Sequence, residues 1–220
     1  MLIEFDKDYL RELFVQGRTN DKKHRYQPEI IKGYKKCVMF LKRAYNVEQL
    51  YPIHSLNYEV LQGDKKGVSS VRINRQYRLE FTVRDILGEQ IVTVCRLLEI
   101  SNHYQINTNM ETAKRIYRPD ELQPSEPIHP GEMLKDELQA RGMSQKKFAA
   151  IIGMPYTAFN EIINGKRPIT TDTALRIEAA TGIAANIWRG LQSDYDMMAA
   201  RRNNKLTAIL DNIRKAVAVL

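Results

Sequence analysis

Apolar residues occur at helical spacing along the whole C-terminal half of the chain. In the first segment Met133, Leu134 and Leu138 share one side, between Pro130, which suits a first helical turn, and Gly142, which suits the position after a last one. Three later segments carry similar stripes. They comprise Ala174, Leu175, Ile177 and Ala180, with Thr171 as candidate cap and Gly182 as stop; Ile187, Trp188, Leu191, Tyr195 and Met198; and residues 206–220. With the helix pair described next, this pattern predicts five helices around one small core, followed by a sixth.

The stretch QKKFAAIIGMPYTAFNEIINGK, residues 145–166, contains the pattern of two helices that cross at a tight turn. Ala149 would let the helices approach, and Gly153 can adopt the positive φ that ends the first helix. Phe159 and Ile162 would turn the apolar side of the second helix inward. The stretch therefore predicts a helix-turn-helix, with Ser144 as a good cap for its first helix.

The outer face of that second helix is the candidate DNA-reading surface. Tyr156, Thr157 and Asn160 lie toward its N-terminal end, which such motifs place in the major groove. The candidate phosphate contacts flank it, and they are Gln145, Lys146, Lys166 and Arg167. An ordinary helical hairpin within a core is the alternative interpretation.

The N-terminal half mixes two periodicities. Helical spacing predicts a short helix over Tyr9, Leu10, Leu13 and Phe14, and a longer one over Ile30, Ile31, Tyr34, Val38, Leu41 and Tyr45. Composition rich in β-formers predicts strands over 68–73, 77–83 and 90–100. The fold class that follows is α+β, with two helices packed on one face of an antiparallel sheet.

The register of the first predicted hairpin brings two arginines together. A loop over residues 74–76 sets Val71 opposite Leu79, and it therefore sets Arg72 opposite Arg78 on the other face. Facing like charges repel, a cost that an anion bound between them would offset. Arg75, Lys65 and Lys66 can enlarge the same patch, so we infer a phosphate-binding face. The alternative is a solvated strand face whose arginines pair with Glu80 or other carboxylates.

The segment 116–130, IYRPDELQPSEPIHP, is rich in proline and polar residues and predicts an extended linker. The predicted organisation is a first domain over residues 1–109, a linker over 110–130 and a second domain over 131–220. Met110, which is followed by a polar run, resembles the start of a separate protein, and this suggests a fusion of two genes. An ordinary internal methionine is the alternative.

Composition excludes several classes of function. The chain has a net charge of +8, and both halves are basic, so both can meet polyanions. It has no apolar run of membrane-spanning length and no signal peptide, which predicts a cytoplasmic protein without membrane contact. Cys37 and Cys95 are expected to be buried thiols, and the four histidines lack metal-ligand spacing. No motif for a nucleotide or for acyl transfer is present, so no cofactor and no metal is expected.

Both halves resemble proteins of one bacterial system. The stretch LNYEVLQGDKKGVSSVRINRQYRLEF and the later LLEISNHY resemble the RelE/HigB family of toxins. The strings EPIHPGEMLKDEL, NGKRPITTDTAL and LQSDYDM resemble HigA-type antitoxins of the XRE repressor class. The resemblance implies a toxin-antitoxin fusion, with a RelE/HigB-like domain followed by an all-α, lambda-repressor-like domain.

For the first half, the resemblance implies a metal-independent mRNA interferase that acts on messenger RNA in the ribosome. The RNA 2′-OH would attack the adjacent phosphate, and the family's basic positions would stabilise the charge that develops. The matching residues are Arg72, Arg78, Lys65 and Lys66, with His103 for proton transfer. Ser101 and Asn102 stand where the family often has Asp-Tyr before this histidine, and His54 is a second, more distant candidate.

For the second half, the resemblance implies an autoregulatory repressor that binds operator DNA, and we expect a homodimer through this half. Three hypotheses for the whole chain follow. The first is a fusion whose toxin half is neutralised in cis or in trans. The second is an active endoribonuclease, released when the halves separate. The third is a toxin half that has lost catalysis and serves as an interaction scaffold, while a gyrase-targeting toxin is a further alternative.

Overall fold

The computed structural model describes residues 1–86, 92–102 and 115–218. A mixed sheet forms the N-terminal half, and its strands in chain order are β1 (Leu2–Phe5), β2 (Glu59–Val60), β3 (Ser69–Arg72), β4 (Tyr77–Ile86), β5 (Val92–Asn102) and β6 (Ile116–Tyr117). Their spatial order is β2-β3-β4-β5-β1-β6. This unit is called the sheet domain below.

Two helices cover one face of the sheet: α1 (Asp8–Val15) and α2 (Pro28–Arg43). They pack through apolar side chains that the helical spacing identified, and Leu10, Phe14, Tyr34 and Val38 are completely buried. The hydroxyl of Tyr34 donates to the Leu10 carbonyl at 2.9 Å, which ties the two helices together. The opposite face carries the polar side chains of β3 and β4.

The hairpin register follows the alternation of the sequence. Val71 lies opposite Leu79 and Arg72 lies opposite Arg78, as predicted. The sheet is not purely antiparallel, however, because β1 pairs with β5 in parallel. Local patterns did not reveal β1, since its partner lies about ninety residues later in the chain and parallel pairing needs a long crossover.

The proline-rich segment after residue 115 is extended, and it is attached to the sheet domain. Its strand β6 pairs with β1, and Leu122 and Ile128 are buried. The Lys42 ammonium group donates to the carbonyls of Pro119 at 2.9 Å and Leu122 at 2.6 Å. These contacts fix the path of the segment along the end of α2.

The helical domain contains α3 (Pro130–Ala140), α4 (Gln145–Ile151), α5 (Tyr156–Ile163), α6 (Thr171–Thr181), α7 (Ala185–Arg201) and α8 (Asn204–Val217). Ser144 caps α4 through the Lys147 amide, and Gly153 ends it with φ 62°, as predicted. The prediction for α6 was wrong by one residue, because Thr170, whose backbone is still extended, is the cap and Thr171 is the first helical residue.

The two domains pack against each other through α2. Asp194 of α7 accepts from Arg43 Nε at 2.9 Å and lies 3.1 Å from Lys42 Nζ, whose side chain is only 1% exposed. Glu137 of α3, which is fully buried, accepts from the backbone amides of His54 and Ser55 at 3.0 and 2.8 Å. Burial lowers the pKa of Lys42, and the neighbouring Asp194 opposes that shift.

Candidate nucleic-acid interfaces

The helix α5 presents its polar side to solvent because its apolar side is fixed in the core. Phe159 and Ile162 are completely buried, and the Phe159 ring packs 5.4 Å from that of Phe148 on α4. Tyr156 is 47% exposed and Thr157 is also exposed. The arrangement is a helix-turn-helix with a free outer face.

Among the predicted DNA contacts, the structure brings two side chains together and leaves others in solvent. The Asn160 amide nitrogen donates to Gln145 Oε1 at 3.3 Å, which links α5 to the start of α4. Lys146 and Lys166 are exposed, and no ion pair involves either within the described ranges. Arg167 pairs with Glu161 at 2.8 Å, and both side chains are about half exposed.

Residues that the sequence patterns did not single out hold the loops around α5. Arg176 donates to the Ile152 carbonyl at 3.0 Å and therefore closes the turn between α4 and α5. The buried Gln192 accepts from the Ile169 amide at 2.9 Å, and Arg189 donates to the Ile169 carbonyl at 2.6 Å. Lys166 and Arg167 therefore lie in a loop that α7 holds in place.

The start of α3 fits closely against the end of α5. His129 is 5% exposed, and its Nδ1 accepts from the Gly131 amide at 3.0 Å, so the imidazole caps α3. A β-carbon on Gly131 would lie only 1.9 Å from the Ile162 carbonyl oxygen. Burial lowers the pKa of His129, and Asp196 and Glu132 oppose that shift. The neutral ring is the form that can accept this hydrogen bond.

On the polar face of the hairpin, Arg72 is exposed and Arg78 is held by its surroundings. Arg78 Nε donates to Ser70 Oγ at 2.8 Å, and its Nη2 donates to the Asn57 carbonyl at 2.8 Å. The same guanidinium lies 3.2 Å from a Glu59 carboxylate oxygen. Burial is the main cause that lowers the pKa of Arg78, and the Arg72 charge contributes.

The two predicted lysines, Lys65 and Lys66, also differ in whether they have an ion-pair partner. Lys65 Nζ contacts both Glu80 oxygens, at 2.7 and 2.8 Å, so the interpretation that cations of this face pair with carboxylates holds for Lys65 and Arg78. Within the described residues, Arg72, Arg75 and Lys66 have no ion pair. His103, the predicted proton-transfer residue, lies outside the described residues.

Two adjoining cavities surround the arginines. The smaller, which we call the hairpin cavity, has a volume of about 260 Å³ and is lined by Asn57, Glu59, Arg72, Asn74, Arg75 and Arg78. The larger, which we call the interdomain cavity, has about 640 Å³. It lies between α2, the β3–β4 loop and α3, and Lys32, Lys36, Arg72, Arg75 and Asp136 are among its lining residues. Sequence reasoning missed Glu59, Lys32 and Lys36, although the basic residues of α2 recur at helical spacing.

Two further features of the chain are its cysteines and its candidate metal ligands. Cys37 and Cys95 are buried free thiols, as expected, and burial raises the pKa of Cys37 to about 12. Within the described part of the chain, no group of three or more histidine, cysteine, aspartate or glutamate side chains could hold a metal ion. In the same part, no helix has both the length and the apolar character needed to cross a membrane.

Comparison with known proteins shows the family to which the helical domain is related. A helix-turn-helix family model matches residues 134–188. Virulence-associated protein I of Dichelobacter nodosus is 36% identical over 84 residues, which are 38% of this chain and 78% of that protein. The chain belongs to the helix-turn-helix family.

Two solved structures are also similar to this chain. An addiction module antidote protein of the HigA family from Coxiella burnetii is 39% identical, over 36% of this chain and 87% of that one, with a TM-score of 0.34. The antitoxin HigA of Pseudomonas aeruginosa, solved with the higBA promoter, is 32% identical over 38% of this chain and 91% of that one, with a TM-score of 0.36. The helix-turn-helix family model itself does not extend to the hairpin.

Proposed function

We propose that this chain is a type II toxin-antitoxin fusion whose helical domain binds operator DNA and represses its own transcription. The observation that carries the proposal is the exposed face of α5, with Tyr156 and Thr157 in solvent above a fully buried apolar side. A helix held this way can enter the major groove without rearrangement. The strings that resemble HigA lie in the same domain.

Within this proposal, the DNA contacts divide into two kinds. Tyr156, Thr157 and Asn160 read base edges, and Asn160 is pre-positioned by Gln145. Gln145, Lys146, Lys166 and Arg167 hold phosphates on either side of the helix. The exposed apolar residues Ile209, Ile213 and Val217 of α8 support self-association of this domain, as a two-fold operator requires.

A gel-shift titration with the upstream region of the gene tests this assignment. The double variant Thr157→Ala, Asn160→Ala should reduce operator affinity by roughly tenfold or more, because each good base contact contributes about 1–3 kcal/mol. The matched control is Thr19→Ala, Asn46→Ala, which removes the same kinds of side chain from the surface of the sheet domain. Equal affinity of the two double variants would refute operator reading by α5.

For the sheet domain, we propose a ribosome-dependent mRNA interferase of the RelE/HigB type. Arg72 and Arg75 face the hairpin cavity, and Arg72 lies opposite Arg78. A phosphate on this face would receive charge-assisted hydrogen bonds where two like charges otherwise repel. In this role Arg72 and Arg75 bind the phosphate. Arg78 and Lys65 remain paired with carboxylates and contribute positive charge beside it, and Lys66 adds an exposed charge.

Cleavage is tested best with a fragment that keeps the sheet complete. Residues 1–128 retain β6 and the buried Leu122, whereas a fragment ending at residue 109 would lack both. Addition of this fragment to a cell-free translation reaction should cut the messenger RNA, and Arg72→Ala should abolish the cuts. A folded fragment, verified by circular dichroism, that leaves the messenger RNA intact would instead favour the scaffold.

The scaffold alternative has one observation in its favour. Lys65 is bound to Glu80 and Arg78 to Glu59, so two of the proposed catalytic cations already have carboxylate partners. In that case the sheet domain would act through its contacts with the helical domain alone. Neutralisation in cis fits both alternatives, because α2 forms ion pairs with Asp194 of α7 and with Asp136 of α3. We propose that the protein acts in the cytoplasm, where its DNA and RNA partners are found.

A further inference from the structure

The hairpin cavity and the interdomain cavity meet at the β3–β4 loop. Both are lined by Arg72, Asn74 and Arg75, so they adjoin and form one trough. The trough runs from the polar face of the hairpin to the groove between α2 and α3. Its floor therefore belongs to the sheet domain, whereas one wall of its far end belongs to the helical domain.

Cations are spaced along this trough, and those at its far end are covered by carboxylates of α3. Lys32 Nζ lies 2.5 Å from Glu132 Oε2, and Lys36 Nζ lies 2.6 Å from Asp136 Oδ2. Lys36 is also 3.8 Å from Glu132. Arg72, at the junction, has no ion pair among the described residues. The helical domain thus contributes anions to a path on which Arg78 is already paired with Glu59, whereas Arg72 and Arg75 have no ion pair within the described part of the chain.

These carboxylate pairs can exchange with solvent, unlike the buried contact at the other end of α2. The side chains of Glu132, Asp136 and Lys32 are 37%, 46% and 45% exposed, and that of Lys36 is 17% exposed, so each pair has at least one partner in contact with solvent. Asp194, in contrast, is 11% exposed and faces Lys42, which is 1% exposed. Exposed pairs contribute little to stability, so another anion can replace them at small cost. The buried pair of Lys42 and Asp194 therefore contributes more to the contact between the domains than the pairs of Lys32 and Lys36 do.

We propose that the interdomain cavity is a second phosphodiester-binding segment for single-stranded RNA, and that Glu132 and Asp136 occupy its phosphate positions in the fused chain. This inference rests on the proposed RNA-binding function of the hairpin. A strand whose reacting phosphate lies at Arg72 would place neighbouring phosphates near Lys36 and Lys32. While α3 is docked, its two carboxylates compete with those phosphates. The helical domain therefore weakens RNA binding without covering the arginines of the hairpin.

Single-stranded RNA fits this trough better than a duplex. Grooves for single strands combine cations that follow the backbone with space for unstacked bases. The trough is a concave path of this kind, closed on one side by α2 and on the other by α3. Duplex DNA is instead read by an element that projects outward, as α5 does. The two nucleic acids therefore have separate surfaces on the chain.

The test uses the full chain and a fluorescently labelled 12-nucleotide RNA with 2′-O-methyl groups, which cannot be cleaved through a 2′-OH. The double variant Glu132→Gln, Asp136→Asn should bind this RNA at least about threefold more tightly than the parent in fluorescence anisotropy titrations. Its slope of log K against log salt should steepen by about 1.4, since two more phosphates are engaged at about 0.7 each. Adding Lys32→Gln and Lys36→Gln should remove both gains.

Asp172→Asn with Asp211→Asn is the matched control, because it removes two exposed carboxylates from α6 and α8 and changes net charge equally. An equal gain in the control would overturn the proposal in favour of general electrostatics. An equal gain for a 12-base-pair DNA duplex would overturn the assignment to single-stranded RNA. Thermal melts should show that every variant folds.

A further arm separates this inference from the function on which it rests. Arg72→Gln with Arg75→Gln, made in the Glu132→Gln, Asp136→Asn background, should reduce RNA affinity below that of the parent. RNA binding that depends on Arg72 and Arg75 but not on Glu132 and Asp136 would refute the competition by α3 and leave the hairpin function intact. Binding that is indifferent to both arginines would refute the hairpin function itself.

Discussion

The two proposed nucleic-acid surfaces differ in what their charged groups already contact. Around α5, Arg167 has a half-exposed partner in Glu161, and the polar side of the helix faces solvent. On the hairpin, Arg78 is 7% exposed and Lys65 is bound to Glu80. A surface of the first kind binds its ligand as it stands. On a surface of the second kind only some cations are free to bind, and those next to α3 must first exchange the carboxylates of Glu132 and Asp136, so binding can depend on the neighbouring domain.

The largest effect is expected where the domains are joined. Asp194→Ala would leave the buried Lys42 without its carboxylate partner, and the free energy of unfolding should fall by about 3–5 kcal/mol. Urea denaturation followed by circular dichroism measures this change. In native buffer the variant should keep its operator affinity, because Asp194 faces α2 and not α5. Asp211→Ala, which breaks an exposed pair on α8, is the control and should cost less than about 0.5 kcal/mol.

A smaller effect is expected at the close contact between α3 and α5. Gly131→Ala would bring a β-carbon to 1.9 Å from the Ile162 carbonyl, so α3 and α5 must move apart. Overpacking of this kind costs about 1–3 kcal/mol. We expect a lower melting temperature and weaker operator binding in a gel shift. Unaltered operator binding would mean that the position of α5 does not depend on this close approach.

The pH dependence of stability should reveal the cap of α3. The pKa of His129 is lowered in the folded state, so the unfolded chain binds more protons at mildly acidic pH. The contribution of this group to stability is complete above the unfolded pKa of about 6.5 and diminishes as the pH falls toward the folded value. His129→Asn keeps a capping acceptor that does not titrate, and it should flatten this part of the profile. Urea midpoints that run parallel for both proteins across this pH range would contradict the assignment.

The smallest effect concerns the flank of α5. Lys166→Gln with Arg167→Gln should reduce the slope of log K against log salt for operator binding by about 0.9 for each phosphate that is no longer neutralised. Base discrimination should stay the same, because these side chains meet phosphates. Lys22→Gln with Arg25→Gln, on the exposed surface of the sheet domain, is a control of equal charge. Competition with mutated operators would detect a change in base preference, which would contradict a phosphate role.

The structural features that could be predicted from the sequence are those that depend on a few neighbouring residues. The arginine register of the hairpin followed from alternation and a short loop, and the turn of the helix-turn-helix followed from Ser144 and Gly153. Fewer of the site residues were predicted, since Glu59 and the lysines of α2 join the site only through ion pairs with residues of other segments. Lys36 and Asp136, for example, are one hundred residues apart.

By itself, the sequence determined the helical and strand periodicities, the Ser144 cap, the facing arginines and the outward face of α5, because each depends on backbone geometry or side-chain alternation within one segment. Only the tertiary structure decided that β1 joins β5 in parallel, that β6 attaches the proline-rich segment to the sheet, and that α3 and α7 place carboxylates on α2. These pairings depend on burial and charge contacts between distant segments. Local patterns do not encode which distant partner a side chain meets.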